Sequence, residues 1–249
     1  MHATLLQVDK VISNSFHNAF TSLARWKGQY YLAFREAVSH GITPPGQIRV
    51  YANKDPRRFG DTGHAAVLTS PCGDIRDPRF VATPDLLYLL GGVYVPSPHL
   101  QHAHGLSAIS GENQLWSMFS YTRDGQTWAP LMPYLRPNHW GWSAVVHPTT
   151  LWSVLSYDVG VFEACNTITL WRGAPLSGFH HCGLLYDGGS LDKEGEAWRY
   201  SRSLPSEPVL YHPLPDVLAC CMRTETTMLH GIWKKALGWR WQDTGLLLH

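Results

Sequence analysis

Short runs rich in β-branched and aromatic residues, each broken within a few positions by Gly, Pro, Asn or Asp, fill this chain from end to end. No long amphipathic helical stretch interrupts them, and that pattern restricts the chain to an all-β fold. The runs fall into four groups. The first passes from Phe20–Ala24 through Tyr30–Phe34 and Ile48–Tyr51 to Ala65–Leu68, and the second from Phe80–Val81 through Leu86–Leu90 and Leu115–Ser120 to Thr127–Trp128. The third covers Ser143–Val146, Leu151–Leu155 and Thr167–Trp171; the last covers Val209–Tyr211, Val217–Met222 and the Trp-rich tail. Each group has the make-up of one four-stranded antiparallel unit. Units of about 50 residues in series predict a β-propeller, with a β-sandwich as the alternative.

Composition narrows the partners. A net charge of +1 gives no electrostatic reason for nucleic acid or an anionic membrane. The 44% hydrophobic and 16% charged content belongs to a folded globular chain. Eleven Trp and eleven Tyr fill a β core and also offer flat platforms for sugar rings. Five cysteines without regular spacing read as reduced thiols, and Cys220 and Cys221, adjacent in a strand, must face opposite ways. The start Met1–Lys10 has no basic region followed by a long apolar one, so the expected compartment is the cytoplasm.

The densest chemistry lies in Asp74-Ile75-Arg76-Asp77-Pro78-Arg79-Phe80, which sets two carboxylates and two guanidiniums immediately before an apolar strand. Proline at 78 is expected to bias Asp77 toward extended geometry. Arg76 and Asp77 read either as ligand-facing groups or as an internal ion pair. Arg35 with the adjacent Glu36 reads as a structural pair or a substrate contact, and Glu207-Pro208 as a working carboxylate or a strand cap. A loop with His99, His102 and His104 has metal-like spacing but no thiol or carboxylate nearby, and reads as solvated. No metal and no cofactor are expected. His180-His181 read as surface residues, and Asp187–Ser190 with Asp192–Glu196 as an exposed loop.

Thr122-Arg123-Asp124-Gly125-Gln126-Thr127-Trp128 joins two strands through an Asp-Gly turn and resembles the Asp-box of sialidase-like propellers. Together with His17-Asn18-Ala19-Phe20-Thr21, Leu32–Glu36 followed by His40, the Asp74–Phe80 motif, Trp140-Gly141-Trp142, and Ser206-Glu207-Pro208 followed by Met222-Arg223, it gives a likeness to the sialidase-like glycoside hydrolase superfamily over most of the chain. That resemblance implies one domain over residues 1–249, a polar pocket at the propeller axis and a terminal glycan as substrate. Four units correspond to a smaller ring or to part of the six-bladed ring usual in sialidases. Where a sialidase has its first-blade arginine, this chain has His17-Asn18-Ala19-Phe20. Arg76-Asp77-Pro78 also resembles the Arg-Asp-Pro motif of fructosidase-type propellers, in which the aspartate holds sugar hydroxyls.

By the geometry of such folds, His17-Asn18, Arg76-Asp77, Trp140–Trp142 and Glu207 are strand entrances expected to converge on the pocket. The reading assigns Asp77 and Glu207 as the two carboxylates of glycosidic cleavage and His40 as a further acid. Arg76, Arg35, Arg223, Asn18 and His17 are expected to bind polar or anionic groups, and Trp142 to stack on the sugar. The competing expectation is a glycan-binding or scaffold propeller without catalysis.

Overall fold

A computed structural model describes residues 7–61, 64–95, 114–146, 152–158, 167–187, 206–214, 217–223, 227–234 and 238–247. Its sixteen strands form four antiparallel four-stranded sheets, the blades of an all-β propeller fold. The first sheet holds β1 (His17–Trp26), β2 (Gln29–Ala37), β3 (Gln47–Asn53) and β4 (His64–Leu68). The second holds β5 (Asp74–Ala82), β6 (Leu87–Val95), β7 (Gln114–Thr122) and β8 (Met132–Pro133). The third holds β9 (His139–Val146), β10 (Trp152–Asp158), β11 (Thr167–Ala174) and β12 (Gly178–Asp187), and the fourth β13 (Ser206–Leu214), β14 (Val217–Arg223), β15 (Thr227–Lys234) and β16 (Gly238–Leu247). Each sheet is a simple up-and-down meander, so chain neighbours are sheet neighbours. The one helical element described is a 3-10 turn at Phe59–Asp61, and no helix among the described residues is long and apolar enough to cross a membrane.

The four groups read from the sequence correspond to these sheets, with two differences in their outer strands. Thr127-Trp128 is not the last strand of the second sheet: it makes an isolated bridge from Trp128 to Thr122, and Met132–Pro133 pairs with β7 instead. The cause is the Asp124 carboxylate, whose Oδ1 accepts from the Gln126 and Thr127 amides and the Thr122 hydroxyl and so winds the chain into a compact turn. Those bonds hold the carboxyl far below its usual range. The third sheet gains β12, where His180 and His181 both lie exposed, His181 edge-on to Trp171 at 5.5 Å. The histidine-rich loop at 99–104, the segment 188–196 and Cys165 lie outside the described residues.

The chain divides into two compact units. One comprises Met1–Leu89 with Ser120–Leu131, the other Leu90–Phe119 with Met132–His249. In the first, Leu32, Phe34 and Phe59 form a core closed by Val11, Ile12, Tyr30 and Tyr51. The first and second sheets are stitched there by Ser22 Oγ accepting from the Phe80 amide at 3.0 Å and by Trp26 Nε1 donating to the Thr83 carbonyl at 2.8 Å. In the second unit, Leu155, Ile168, Leu170, Leu185, Leu210, Leu218, Cys220, Met222 and Leu229 form one buried cluster capped by Trp233, Trp239 and Trp241. The indole of Trp241 lies over Gly231, where a Cβ would meet it at 2.5 Å, so glycine is required there.

Gly125 shows most sharply how turn chemistry fixes packing. Its φ is +80°, and an added Cβ would stand 2.0 Å from the buried Tyr31 hydroxyl. Gly125→Ala therefore combines a left-handed backbone penalty with overpacking. We expect a loss of about 1–3 kcal/mol in unfolding free energy by urea denaturation, with the m-value unchanged.

Candidate functional site

The first unit is organised around a carboxylate with no solvent-exposed surface. Asp74, 0% exposed, opens β5, and Arg35, also 0% exposed, lies on β2. Arg35 donates Nε at 3.0 Å and Nη2 at 2.7 Å to Asp74 Oδ1, which also accepts the Gly46 amide at 2.6 Å. Arg76 donates Nε and Nη2 to Oδ2, each at 2.6 Å. Alternation along β5 puts Asp74 and Arg76 on one face, which is why residues two apart can pair. Both guanidiniums also donate to the loop after β2: Arg35 to the carbonyls of Ser39 and Gly41, Arg76 to those of His40 and Gly41. Gly46 has to be glycine, since a Cβ would lie 2.7 Å from Arg35 Nε. One carboxylate between two guanidiniums leaves a net positive charge beneath the loop.

That loop carries His40, which is exposed but packs its ring edge-to-face on His17 at 5.3 Å and on Phe20 at 5.2 Å. Arg76 Cζ lies 5.6 Å from the Phe20 ring centre. Partial burial, then repulsion from Arg76, His17 and Arg35, lowers the His40 pKa, and Asp74 opposes the shift. Asn18 donates to Asn14, which in turn donates to Glu36 Oε2 at 2.8 Å, while Gln47 and Arg49 both reach Glu36 Oε1 at 2.9 Å. Asn18 also lines a cavity of ≈ 240 Å³ with Thr21, Leu32 and Phe34.

Two sequence expectations are corrected. Arg35 and Glu36 do not pair with each other: as strand neighbours they face opposite ways, and each finds another partner, Asp74 and Arg49. Asp77 is also not extended, although Pro78 follows it. Its φ is +54°, and it is 4% exposed. Glu207, before Pro208, has φ +53°. A left-handed non-glycine residue is uncommon, and a following proline favours extended geometry, so both carboxylates sit at held, costly backbone positions.

These positions recur from sheet to sheet. On β1 the register slips between Ala19 and Ser22, around Phe20 at φ +59°; on β13 it slips between Ser206 and Val209, around Glu207. On β9 it slips between Gly141 and Ser143, around Trp142. Bulges of this kind re-aim a side chain out of the ladder. In the second unit Trp142 is buried and edge-to-face with Trp140 at 5.8 Å. Glu207 is reached by Arg223 Nη1 at 3.3 Å, a pair with side chains 41% and 57% exposed. The sequence reading missed Asp74 as the hub, Phe20 as a bulge residue and the network on Glu36. The i, i+2 spacing of Asp74 and Arg76 on one strand face was the signal available for the first.

The sequence matches no protein-family model and no curated protein. Solved structures share its fold. A protein of unknown function from Dyadobacter fermentans superposes with a TM-score of 0.68 at 15% identity, over 95% of this chain and 71% of that one. The Hadza microbial sialidase Hz136 gives 0.62 at 11% identity, over 92% and 46%. Zg3597, a family 117 glycoside hydrolase from the marine bacterium Zobellia galactanivorans, gives 0.60 at 11% identity, over 92% and 70%. This chain thus spans less than half the length of that sialidase, and the likeness is one of fold: the β-propeller that these glycoside hydrolases also use.

Asp74→Asn would turn an amide N–H₂ toward guanidinium donors and leave two buried cations unbalanced. We expect a loss of about 3–5 kcal/mol by chemical denaturation, far beyond the effect of breaking the exposed Glu207–Arg223 pair with Arg223→Gln. His40 is expected to titrate below the ordinary imidazole value in an NMR pH series. Arg76→Gln should raise it, because it removes the largest charge-based cause of the shift.

Proposed function

We propose that this chain is a glycoside hydrolase-like propeller acting on a terminal sugar, with Asp77 as its working carboxylate. The observation that carries this reading is the backbone at Asp77: a buried aspartate in a left-handed conformation directly before proline, beside the Arg35–Asp74–Arg76 cluster. Strain of that kind is retained where the surroundings over-determine it, and it concentrates at working sites. Known glycosidases of this fold supply the reaction class by analogy only.

In the reaction, the glycosidic C–O bond breaks, a proton passes to the departing oxygen, and water adds its hydroxyl to the anomeric carbon. Asp77 either supports the positive anomeric centre or takes the proton of the attacking water. His40 is proposed as a proton donor. Its lowered pKa makes the imidazolium readier to give up its proton, at the cost of a smaller protonated fraction at neutral pH. Arg76 and Arg35 are held on Asp74 and act as a fixed positive field and as positioning groups, while Asn18 and His17 are the polar contacts for sugar hydroxyls. In the second unit, Glu207 shares the strained pre-proline setting, with Arg223 beside it, and Glu207 with Trp142 is proposed as that unit's own sugar contact. The single domain over 1–249, the Asp-box identity of the Thr122–Trp128 turn and the carbohydrate partner belong to the same proposal.

A second reading is favoured by one observation: Arg35 and Arg76 are both occupied by Asp74, and Glu207 is paired with Arg223. A propeller that binds glycans without cleaving them needs no free carboxylate. A panel of aryl glycosides, including a sialoside, separates the readings. Hydrolysis by the native chain that falls about 100-fold or more in Asp77→Asn, with Glu207→Gln measured alongside, supports the enzyme. Sugar binding by calorimetry with no turnover on any member of the panel supports the binding module.

A further inference from the structure

The fourth sheet carries a cluster that the proposed function does not use. Tyr211 on β13, Cys221 on β14 and His230 on β15 stand on three adjacent strands. The register sets Cys221 opposite Val209 on one side and His230 on the other, and Tyr211 opposite Ala219. Val209 and Tyr211 are two apart, so all three side chains rise from one face of the sheet. Cys220 belongs to the other face, where it is buried in the hydrophobic cluster.

Tyr211 Oη lies 2.8 Å from His230 Nε2, with the two rings stacked at 6.3 Å and 16°. Cys221 is the direct cross-strand neighbour of His230 on that face, and burial first, then the Cys221 thiol, raise the pKa of the phenol. Cys221 is a free, half-buried thiol, and Tyr211 is 36% exposed, so the cluster opens to solvent. Among the described residues no three His, Cys, Asp or Glu side chains come together; here a phenol supplies the third donor atom.

From this geometry we propose that Cys221 Sγ, His230 Nε2 and Tyr211 Oη form an open three-ligand site for a thiophilic divalent cation of the Zn²⁺ type. Thiolate and imidazole select Zn²⁺ or copper over Mg²⁺ and Ca²⁺, which take oxygen cages. Zn–S near 2.3 Å and Zn–N near 2.0 Å set tetrahedral donors about 3.5 Å apart. The assignment requires the Tyr211–His230 contact, 2.8 Å here, to open to that span on binding. On binding, the thiol releases its proton and the metal–sulfur bond forms. His230 offers the Nε2 lone pair with its proton on Nδ1, and the phenol oxygen turns its lone pair from the imidazole to the cation. Three protein ligands leave a fourth position for water or an exogenous ligand.

The test uses the full chain and Co²⁺, a spectroscopic stand-in for Zn²⁺. The expected result is one Co²⁺ per chain with a thiolate-to-cobalt charge-transfer band, both displaced by Zn²⁺. Cys221→Ser should abolish the band, and His230→Ala should weaken binding by at least about tenfold, the loss that even an outer-shell partner gives. Cys72→Ser and Cys182→Ser, which remove exposed thiols elsewhere, should bind like the native chain. Tyr211→Phe keeps the ring packing; it should weaken Co²⁺ binding while lowering the metal-free melting temperature only by the small amount expected for one lost hydrogen bond. No band, a band that survives Cys221→Ser, or native affinity in His230→Ala or Tyr211→Phe would overturn the assignment.

Discussion

Asp74 and the two guanidiniums that enclose it are the interaction on which the first unit depends. A carboxylate taken wholly out of water is tolerable only if its lone pairs are filled, and here five N–H groups from Arg35, Arg76 and Gly46 fill them. The same bonds fix the geometry of four separate pieces of chain. β2 supplies Arg35, β5 supplies Asp74 and Arg76, the loop at 39–41 takes the outer guanidinium donors, and Gly46 closes over the top. Replacing such a cluster by apolar residues of similar volume is often neutral for stability, so its value lies in the geometry it enforces. It holds His40 against His17 and Phe20 and fixes the strand from which Asp77 departs.

The strained positions give the sites their second common feature. Phe20, Asp77 and Glu207 share a left-handed φ near 55°, and Trp142 occupies the matching bulge on β9. All four lie on the first strand of their sheets. The first strand of each sheet thus carries a left-handed residue, a register slip or both, and a slip re-aims a side chain out of the regular ladder. In two of the four sheets the residue concerned is a carboxylate followed by proline.

Much of the architecture was legible in the residues. The β-rich runs and their grouping announced four sheets, and the Asp-Gly turn announced the hairpin at 122–128. The last strand of the second sheet was misread because Thr127-Trp128 has strand composition but is captured by the Asp124 turn. For the candidate site, the residues named positions but not partners. Asp77 and Glu207 carry a left-handed φ, and Glu207 and Trp142 sit at register slips. Their conformation was not readable, since Pro78 and Pro208 argue for extended geometry and tertiary contacts override them. The partner of Arg35 was misassigned because Glu36 is its neighbour in sequence while Asp74, 39 residues away, is its neighbour in space.

The central claim is that the buried, strained Asp77 is the working carboxylate of a glycosidase. Its most direct measurement is turnover of an activated aryl glycoside by Asp77→Ala, with and without added azide, a small anion able to occupy the vacated carboxylate position. The account predicts that the variant loses turnover and that azide restores part of it, with the folded state unchanged by circular dichroism. An Asp77→Ala chain that hydrolyses the substrate as the native chain does, or a native chain inert on every glycoside offered, would contradict it.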